Sequence, residues 1–400
     1  MSISYGRRSI IKDLSFSVRP GEAIGILGHN GSGKSTLAFA LAGIIPDLLQ
    51  AELSGEMSMG EGNFGLVLQN PSTQFLATTV NEELGGRRPA LARHLLDRNV
   101  SELSLGEQQQ VNLAAALCRG ASTLLLDEPL ELLDPYEAKG FLAALQKAKE
   151  QGTTIVWFDH RPRFEGFVDR VIMLGDDEMM TSTRRHDSDP FPDPYPDPFP
   201  NPFPSQYHRL SSLLGSVDDH PVDISGAERR LSFSISRGEK VAVIGRNGSG
   251  KTRTLMALAL AFCKKFKLSF SSQLPVWLQR GMDSKAIAFV HRLGVTTTLP
   301  RRLSKTDPAT LSMGQQKLLS VASALADKSE LAILDEPTTW IDGRTGTALC
   351  NHIKDSDRAI IVATHDPEVV AACDRVLIME KGTLRCSTAR QTRRFFDGSA

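Results

Sequence analysis

The chain has 400 residues, and its 46 lysines and arginines balance its 46 aspartates and glutamates, so the formal net charge is zero. This length exceeds the size at which a single hydrophobic core keeps growing, and it favours two domains. The balanced charge lacks the basic surface that nucleic-acid binding requires, so no nucleic-acid partner is expected.

Membrane crossing and disulfide chemistry are also disfavoured by the sequence. No apolar run approaches the roughly 20 residues that a membrane helix needs, and the start lacks the apolar core of a signal peptide. Any membrane role is therefore expected to come through a partner. The five cysteines are scattered and form no C-x-x-C pair, which indicates reduced thiols in the cytosol.

The first strong motif is a glycine-rich loop at residues 28–35, between an apolar strand at residues 23–27 and a helix-forming stretch at residues 36–42. It fits G-x-x-x-x-G-K-[ST], in which backbone N–H groups surround a phosphate, the lysine reaches the terminal phosphates and the hydroxyl holds Mg²⁺. The loop predicts binding of a nucleoside triphosphate through Gly28, Asn30, Gly31, Ser32, Gly33, Lys34, Ser35 and Thr36.

Three further features follow in the first half. Ser104 and Gly106 precede an alanine-rich helix, whose N-terminal end can bind anions. Asp127 and Glu128 follow an apolar strand; Asp127 is expected in the Mg²⁺ shell, and Glu128 is expected to deprotonate the attacking water, with a solvated turn as the alternative. His160 ends another strand, where it can contact the γ-phosphate or serve as a structural histidine.

A proline-rich segment divides the chain. From residue 189 the sequence repeats DPFP, DPYP, DPFP and NPFP, and alternating prolines favour an extended polyproline II spacer. At about 3.1 Å per residue, residues 187–204 would span on the order of 55 Å. A docking motif for a proline-binding partner is the alternative.

The second half repeats the order of the first. Its glycine-rich loop predicts nucleotide binding through Gly245, Asn247, Gly248, Ser249, Gly250, Lys251 and Thr252. The counterparts of the other motifs are Ser312, Gly314, Asp335, Glu336 and His365. Their recurrence in both halves favours the functional interpretation over a turn or a structural histidine.

The short apolar runs are unalternating and separated by helical stretches, which predicts buried parallel strands in an α/β fold. We expect two nucleotide-binding domains, each a mostly parallel sheet with helices and a short helical subdomain. The predicted bounds are residues 1–186 for the first domain, 187–206 for the linker and 207–400 for the second domain.

Each half resembles the ATP-binding cassette (ABC) ATPases in the order of its motifs: the phosphate loop, LSxG[QE]Q, an apolar strand followed by DEP, an aspartate and a late histidine. The resemblance covers nearly the whole chain apart from the linker. It implies ATP hydrolysis with Mg²⁺ and an intramolecular cassette pair arranged head to tail. Each active site would then be composite. The first would combine Lys34, Glu128 and His160 with Ser312 and Gly314. The second would combine Lys251, Glu336 and His365 with Ser104 and Gly106.

The same resemblance assigns Asp134 and Asp342 to the loop that links the two sites at the interface. Tyr5 resembles the aromatic that stacks on adenine, and an exposed tyrosine near a terminus is the alternative. Gln69 resembles the glutamine that touches Mg²⁺ and water. Gln279 is its expected counterpart in the second half, although the QNPxxQ context is absent there.

Residues 65–74 and the stretch that follows closely resemble the ATPases of cobalt-type and energy-coupling-factor vitamin and metal importers, and an ordinary strand with a polar turn is the alternative. The resemblance implies a transmembrane coupling subunit and a small substrate-binding membrane subunit as partners. It places the chain at the cytoplasmic face of the membrane through those partners. A soluble cassette pair acting on ribosomes or DNA, and the motor of another ABC importer or exporter class, are the competing interpretations.

Overall fold

The computed structural model describes residues 1–6, 8–29, 31–45, 51–58, 62–164, 166–175, 235–262, 267–272, 284–293, 311–380 and 383–398. The chain divides into two compact units, Met1–Pro194 and Tyr195–Ala400. The predicted linker, residues 187–206, lies outside the described residues, so its bounds stay a prediction. Within the described residues, no helix is both long and apolar enough to cross a bilayer.

The first unit contains a five-stranded parallel sheet and a three-stranded antiparallel sheet. Its strands are β1 Ser2–Tyr5, β2 Arg8–Ile11, β3 Ala23–Leu27, β4 Glu52–Ser54, β5 Phe64–Val67, β6 Thr123–Asp127, β7 Thr154–Asp159 and β8 Arg170–Met173. The parallel sheet has the order β5-β6-β7-β3-β8, and the antiparallel sheet has the order β2-β1-β4. The central parallel strands are buried, as their continuous apolar runs predict.

The helices of the first unit carry the motifs at their N-terminal ends. They are α1 Lys34–Leu41, α2 Val80–Glu83, α3 Leu105–Cys118 and α4 Pro135–Glu150, with 3-10 turns at Pro71–Thr73, Ala90–Leu95 and Val100–Glu102. Only α2 and these short turns lie between Gln69 and the helix α3, which confirms the predicted short helical subdomain. A small apolar cluster of its own, including Val80, Leu95 and Val111, stabilises this subdomain.

The described residues of the second unit form a six-stranded sheet in the order β10-β11-β12-β9-β13-β14. Its strands are β9 Lys240–Ile244, β10 Leu268–Ser271, β11 Leu331–Asp335, β12 Ala359–Ala363, β13 Arg375–Glu380 and β14 Thr383–Cys386. Its helices are α5 Lys251–Phe262, α6 Ser284–Arg292, α7 Met313–Ala326, α8 Gly343–Asp355, α9 Pro367–Ala371 and α10 Ala389–Phe396. All strand pairs are parallel except β13 with β14.

The strand order explains where the chemistry lies. In the first unit β3 precedes the glycine-rich loop and pairs with β7, which leads to the late histidine. The strand β7 also pairs with β6, which ends in the acidic pair. In the second unit β9, β12 and β11 repeat this arrangement. Because the carboxyl ends of parallel strands meet at one edge of a sheet, loop, acidic pair and histidine converge there. The α/β fold with parallel-sheet nucleotide-binding domains is therefore confirmed in each unit.

Candidate nucleotide sites

The backbone of the first glycine-rich loop adopts conformations that glycine tolerates and that would be strained for other residues. Gly31 and Gly33 have φ angles of 87° and 96°, in the left-handed region. A Cβ atom on Gly28 would lie 2.5 Å from Ser32 Oγ and 2.7 Å from the carbonyl oxygen of Leu174. The side chain of Lys34 folds back over this loop, and its Nζ donates to the carbonyl oxygens of Gly28 at 2.8 Å and of His29 at 3.1 Å.

The second loop repeats this geometry. Gly248 and Gly250 have φ angles of 75° and 100°. Lys251 Nζ donates to the carbonyl oxygens of Gly245 at 2.6 Å and of Arg246 at 3.3 Å. The predicted residue Asn247 lies within this loop, whereas its counterpart Asn30 lies outside the described residues. Both loops thus hold a lysine ammonium and a row of backbone N–H groups at the start of a helix, as phosphate binding requires.

Two observations test whether these residues fit ATP with Mg²⁺. The hydroxyls of Ser32 and Ser249 are buried and have no hydrogen-bond partner within the described part of the chain. An incoming phosphate oxygen would satisfy each of them. Ser35 Oγ donates to Asp127 Oδ2 at 2.6 Å, and Thr252 Oγ1 donates to Asp335 Oδ2 at 2.7 Å. A hydroxyl beside a carboxylate is an oxygen donor set suited to Mg²⁺, so both sites fit the ion.

Asp127 is a buried carboxyl in an environment that opposes its ionisation. Burial raises its pKa to about 7, and the negative charge of Glu128 adds to the effect, while the hydroxyl of Ser35 and the ammonium of Lys34 oppose it. Burial also raises the pKa of Asp335, and the positive charges of Lys317 and Lys251 oppose that shift. A divalent cation at either position would favour the ionised form of the carboxyl.

Glu128 lies at the centre of the first site. Its Oε2 accepts a hydrogen bond from Gln69 Nε2 at 2.7 Å, and its Oε1 lies 2.9 Å from His160 Nδ1 and 3.7 Å from Lys34 Nζ. Its φ angle of 46° is unusual for a residue with a side chain, and such strain clusters at functional sites.

The charges of this group depend on one another. Burial opposes ionisation of Glu128, but the positive charges of His160 and Lys34 outweigh burial and lower its pKa to about 2. Burial likewise opposes protonation of His160, and the charge of Glu128 outweighs it and raises the pKa of the imidazole. In the protein without nucleotide, Glu128 and His160 therefore form a buried ion pair. The structure thus brings together Lys34, Gln69, Asp127, Glu128 and His160, as the sequence predicts.

The second site is built in the same way around Glu336. Its φ angle is 48°, its Oε1 lies 3.0 Å from His365 Nδ1, and its Oε2 accepts from the backbone N–H of His365 at 3.3 Å. Burial raises the pKa of Glu336, but His365 and Lys251 outweigh it, and the net pKa is lowered.

Ser104 and Ser312 begin the helices α3 and α7 as N-caps with complete capping boxes. Ser104 Oγ accepts from the backbone N–H of Glu107, and Ser312 Oγ accepts from that of Gln315. Gly106 and Gly314 lie in the first turns of these helices. The carboxylate of Glu107 accepts from the backbone N–H of Ser104 at 2.8 Å and is paired with Arg98 at 2.8 Å.

Asp134 and Asp342 cap α4 and α8 with their side chains and are buried. Tyr5 is half-buried at the end of β1 and packs against the core of the first unit. Their roles at the interface and on adenine stay predictions. Thr36 follows Ser35 in the first turn of α1.

One residue was missed by the sequence analysis, and the strand register points to it. Phe64 lies opposite Thr123 in the first unit, and Leu268 lies opposite Leu331 in the second, so that β5 and β10 correspond residue by residue. Gln69, two residues after β5, then corresponds to residue 273, which is also glutamine. Proline follows two positions later in both halves, a signal present in the sequence. Gln273 and the predicted Gln279 both lie outside the described residues, and the register favours Gln273.

A family model for ABC transporters matches residues 11–131, 229–265 and 260–339. The chain belongs to this family. It is a tandem ABC ATPase whose two cassettes bind and hydrolyse ATP.

Relatives of similar length carry the same domain pair. A candidate ABC transporter ATP-binding protein of Treponema denticola is 26% identical over 469 residues, covering 96% of this chain and 95% of that protein. A candidate HMP/thiamine import ATP-binding protein of Bacillus subtilis is 24% identical, covering 95% of this chain and 88% of that protein.

Among solved structures, the RNase-L inhibitor is similar with a TM-score of 0.65 and 19% identity, covering 96% of this chain and 89% of that one. A structure of the archaeal ribosome recycling factor with a ribosomal stalk protein has the same TM-score and 18% identity, covering 96% of this chain and 89% of that one. At these identities the likeness shows the shared fold alone.

Proposed function

We propose that this tandem ATPase is the motor of a membrane importer of the energy-coupling-factor or cobalt type, at the cytoplasmic face of the membrane. A transmembrane coupling subunit and a small substrate-binding membrane subunit would be its partners, and a vitamin or a transition-metal ion its cargo. The motif at Gln69 and the similarity to a relative named for HMP/thiamine import support this proposal.

The observation that supports the proposal is an open cavity formed in part by the loop that follows Gln69. A cavity of about 430 Å³ is lined by Ser72, Phe75, Ala77, Thr78, Val100, Ser101 and Gln108. Leu76 stands next to it with 90% of its surface exposed. We propose that Leu76 anchors a helix of the coupling subunit in this cavity of mixed polar and apolar lining.

This docking feature is connected to the first site by hydrogen bonds. Ser72 Oγ donates to Gln108 Oε1 at 2.7 Å, which joins the loop after Gln69 to the helix that begins at Ser104. Gln74 Oε1 accepts from the backbone N–H of Leu68 at 2.7 Å, and Gln69 itself donates to Glu128. A partner that moves this loop would therefore move Gln69 relative to Glu128, and ATP binding would act on the partner in return.

We further propose that catalysis takes place in the two composite sites. Lys34, Glu128 and His160 would act with Ser312 and Gly314, and Lys251, Glu336 and His365 with Ser104 and Gly106, across an interface that includes Asp134 and Asp342. Helix N-termini that arrive from the opposite cassette would stabilise the charge of the transferred phosphoryl group only when the pair is closed. Ser35 with Asp127, and Thr252 with Asp335, would hold Mg²⁺, which would supply positive charge next to the bound phosphates.

The roles of the protein groups follow from their contacts. Lys34 and His160 stabilise the ionised form of Glu128 in the protein without nucleotide. When a γ-phosphate draws both cations toward itself, that stabilisation weakens and the pKa of Glu128 rises, so that the carboxylate becomes a better base for the attacking water. Gln69, which donates to Glu128, would orient the same water.

Affinity purification of the full-length chain from detergent-solubilised membranes tests the proposed function. We expect a coupling-type membrane protein to be recovered. Recovery of ribosomes or DNA instead would contradict import and favour a soluble cassette pair. Recovery of an unrelated membrane permease would indicate another ABC transporter class.

Leu76→Asp is expected to abolish recovery of the membrane partner, because a carboxylate cannot be buried in an apolar contact without a large desolvation cost. The thermal midpoint of unfolding should change little, since Leu76 is exposed in the isolated chain. Met256→Asp, at another exposed apolar side chain that lies on α5, is the matched control and should retain the partner. Equal recovery with both variants would contradict the docking role of Leu76.

A further inference from the structure

The second site contains a buried lysine that the proposed hydrolysis does not use. Lys317 lies on α7, which begins after Ser312, and none of its side-chain surface is exposed. Its Nζ donates to the carbonyl oxygen of Asp335 at 2.7 Å and to that of Ser272 at 2.6 Å. These carbonyls mark the ends of β11 and β10, so a single ammonium joins the strand end that carries the acidic pair to the residue that precedes Gln273.

The first unit has a neutral residue at the equivalent position. Gln109 stands five residues after Ser104, as Lys317 stands five residues after Ser312. Its Nε2 donates to the carbonyl oxygen of Leu68 at 3.3 Å, the counterpart of the bond to Ser272. Its Oε1 is buried and has no hydrogen-bond partner within the described ranges. Gln109 thus retains one weaker contact and brings no charge.

Lys317 is a cation where it lies. Its Nζ has carbonyl oxygens as acceptors at 2.6 and 2.7 Å, a set of contacts that suits an ammonium group, and the contact with the carbonyl of Asp335 places the charge at the strand end expected to hold Mg²⁺. A fixed positive charge beside a cation site opposes binding of a second cation.

Other charged positions near the two late histidines differ between the units in both directions. Asp159 and Glu131 are buried beside His160 in the first unit, and threonines, Thr364 and Thr339, stand at the corresponding positions of the second. Glu131 is paired with Arg163, so that pair adds no net charge. At the next positions Arg161 and Arg163 of the first unit correspond to Asp366 and Glu368 of the second, so these flanking charges favour neither site, and Lys317 is the charge difference that contacts the acidic strand end.

We propose that Lys317 positions the two strand ends of the second site and weakens divalent-cation binding there, so that the two cassettes bind Mg²⁺ with nucleotide unequally. This inference rests on the proposed nucleotide sites and holds whichever partner the motor drives. It makes Lys317 a positioning residue, since it acts on the cation through the strand ends at Asp335 and Ser272.

Binding of Mn²⁺, a paramagnetic substitute for Mg²⁺, tests the inference in the full-length protein with a non-hydrolysable ATP analogue. Free Mn²⁺ is counted by electron paramagnetic resonance. We expect two bound ions per chain in two affinity classes separated by about tenfold. Lys317→Gln, which gives the second site the residue of the first, should tighten the weaker class about tenfold. Gln109→Lys should weaken the tighter class by a similar factor. The carbonyl oxygens of Leu68 and Asp127, the counterparts of the two acceptors of Lys317, are present in the first unit.

Lys267→Gln removes an exposed lysine near the start of β10 and controls for overall charge. It should leave both affinities unchanged. Two Mn²⁺ affinities that do not respond to Lys317→Gln or Gln109→Lys would overturn the inference while leaving the nucleotide sites intact. Absence of any nucleotide-dependent Mn²⁺ binding would overturn the proposed sites themselves. If Lys317→Gln does not fold, Gln109→Lys alone decides, since it changes the other cassette.

Discussion

Glu128→Gln is expected to lower steady-state ATP turnover by about a hundredfold or more while ATP remains bound. The amide keeps the shape of the carboxylate and can still accept from Gln69, but it cannot take a proton from water. The positive φ angle of residue 128 holds the side chain in place through the backbone, so the substitution should remove chemistry rather than geometry. Glu336→Gln should have the same effect in the second cassette.

Turnover is measured as released phosphate, and binding as retention of labelled ATP. Glu150→Gln makes the same chemical change at an exposed position near the end of α4 and should leave both unchanged. The imidazole of His160 should also become less basic in Glu128→Gln, because the charge of Glu128 raises its pKa. Unchanged turnover in both glutamine variants would show that these carboxylates are not the bases.

Asp127→Asn is expected to stabilise the nucleotide-free protein and to abolish turnover at the same time. The folded-state pKa of Asp127 is about 7, above its ordinary value of 3.8, so the folded protein binds this proton more tightly than the unfolded chain does. The stabilisation that this proton adds to the free energy of unfolding is therefore present at low pH and is lost as the pH rises from about 4 to about 7. Asparagine remains neutral and can still accept from Ser35, so it avoids that loss.

The expected gain for Asp127→Asn is about 1–3 kcal/mol of unfolding free energy near pH 8, and close to zero near pH 4, by urea denaturation without nucleotide. Asp335→Asn is the matched comparison. Its gain should be smaller, because Lys317 and Lys251 already stabilise the ionised form of Asp335. Turnover should be lost in both variants, since an amide is a poorer ligand for Mg²⁺. A gain that is independent of pH would contradict the burial of a charged Asp127.

Much of the fold and of both sites follows from the sequence because the decisive groups are placed by short-range signals. Each glycine-rich loop, acidic pair and histidine directly follows an apolar strand, and parallel pairing brings strand ends together. Gln69, Glu128 and His160 are far apart in the chain, yet their places at three strand ends suffice to predict that they meet.

The residues that the sequence did not reveal depend on pairing or burial. Gln273 becomes the counterpart of Gln69 only when β10 is registered against β11, since the sequence context retains a single proline. Lys317 lies in a helix where a lysine is ordinarily solvated, and only its burial beside the carbonyls of Ser272 and Asp335 gives it a role. The ion pair between Glu131 and Arg163 likewise becomes visible only in the folded structure.

The hydroxyls of Ser32 and Ser249, which have no hydrogen-bond partner among the residues that the structure describes, affect the stability of the nucleotide-free protein. A buried hydroxyl without a partner costs about 1–3 kcal/mol, and each nucleotide-free cassette carries one. Bound nucleotide removes that cost and adds its own binding energy to the folded state. The free energy of unfolding of this chain is therefore expected to rise with the concentration of ATP, so that ATP acts as a stabilising ligand as well as a substrate.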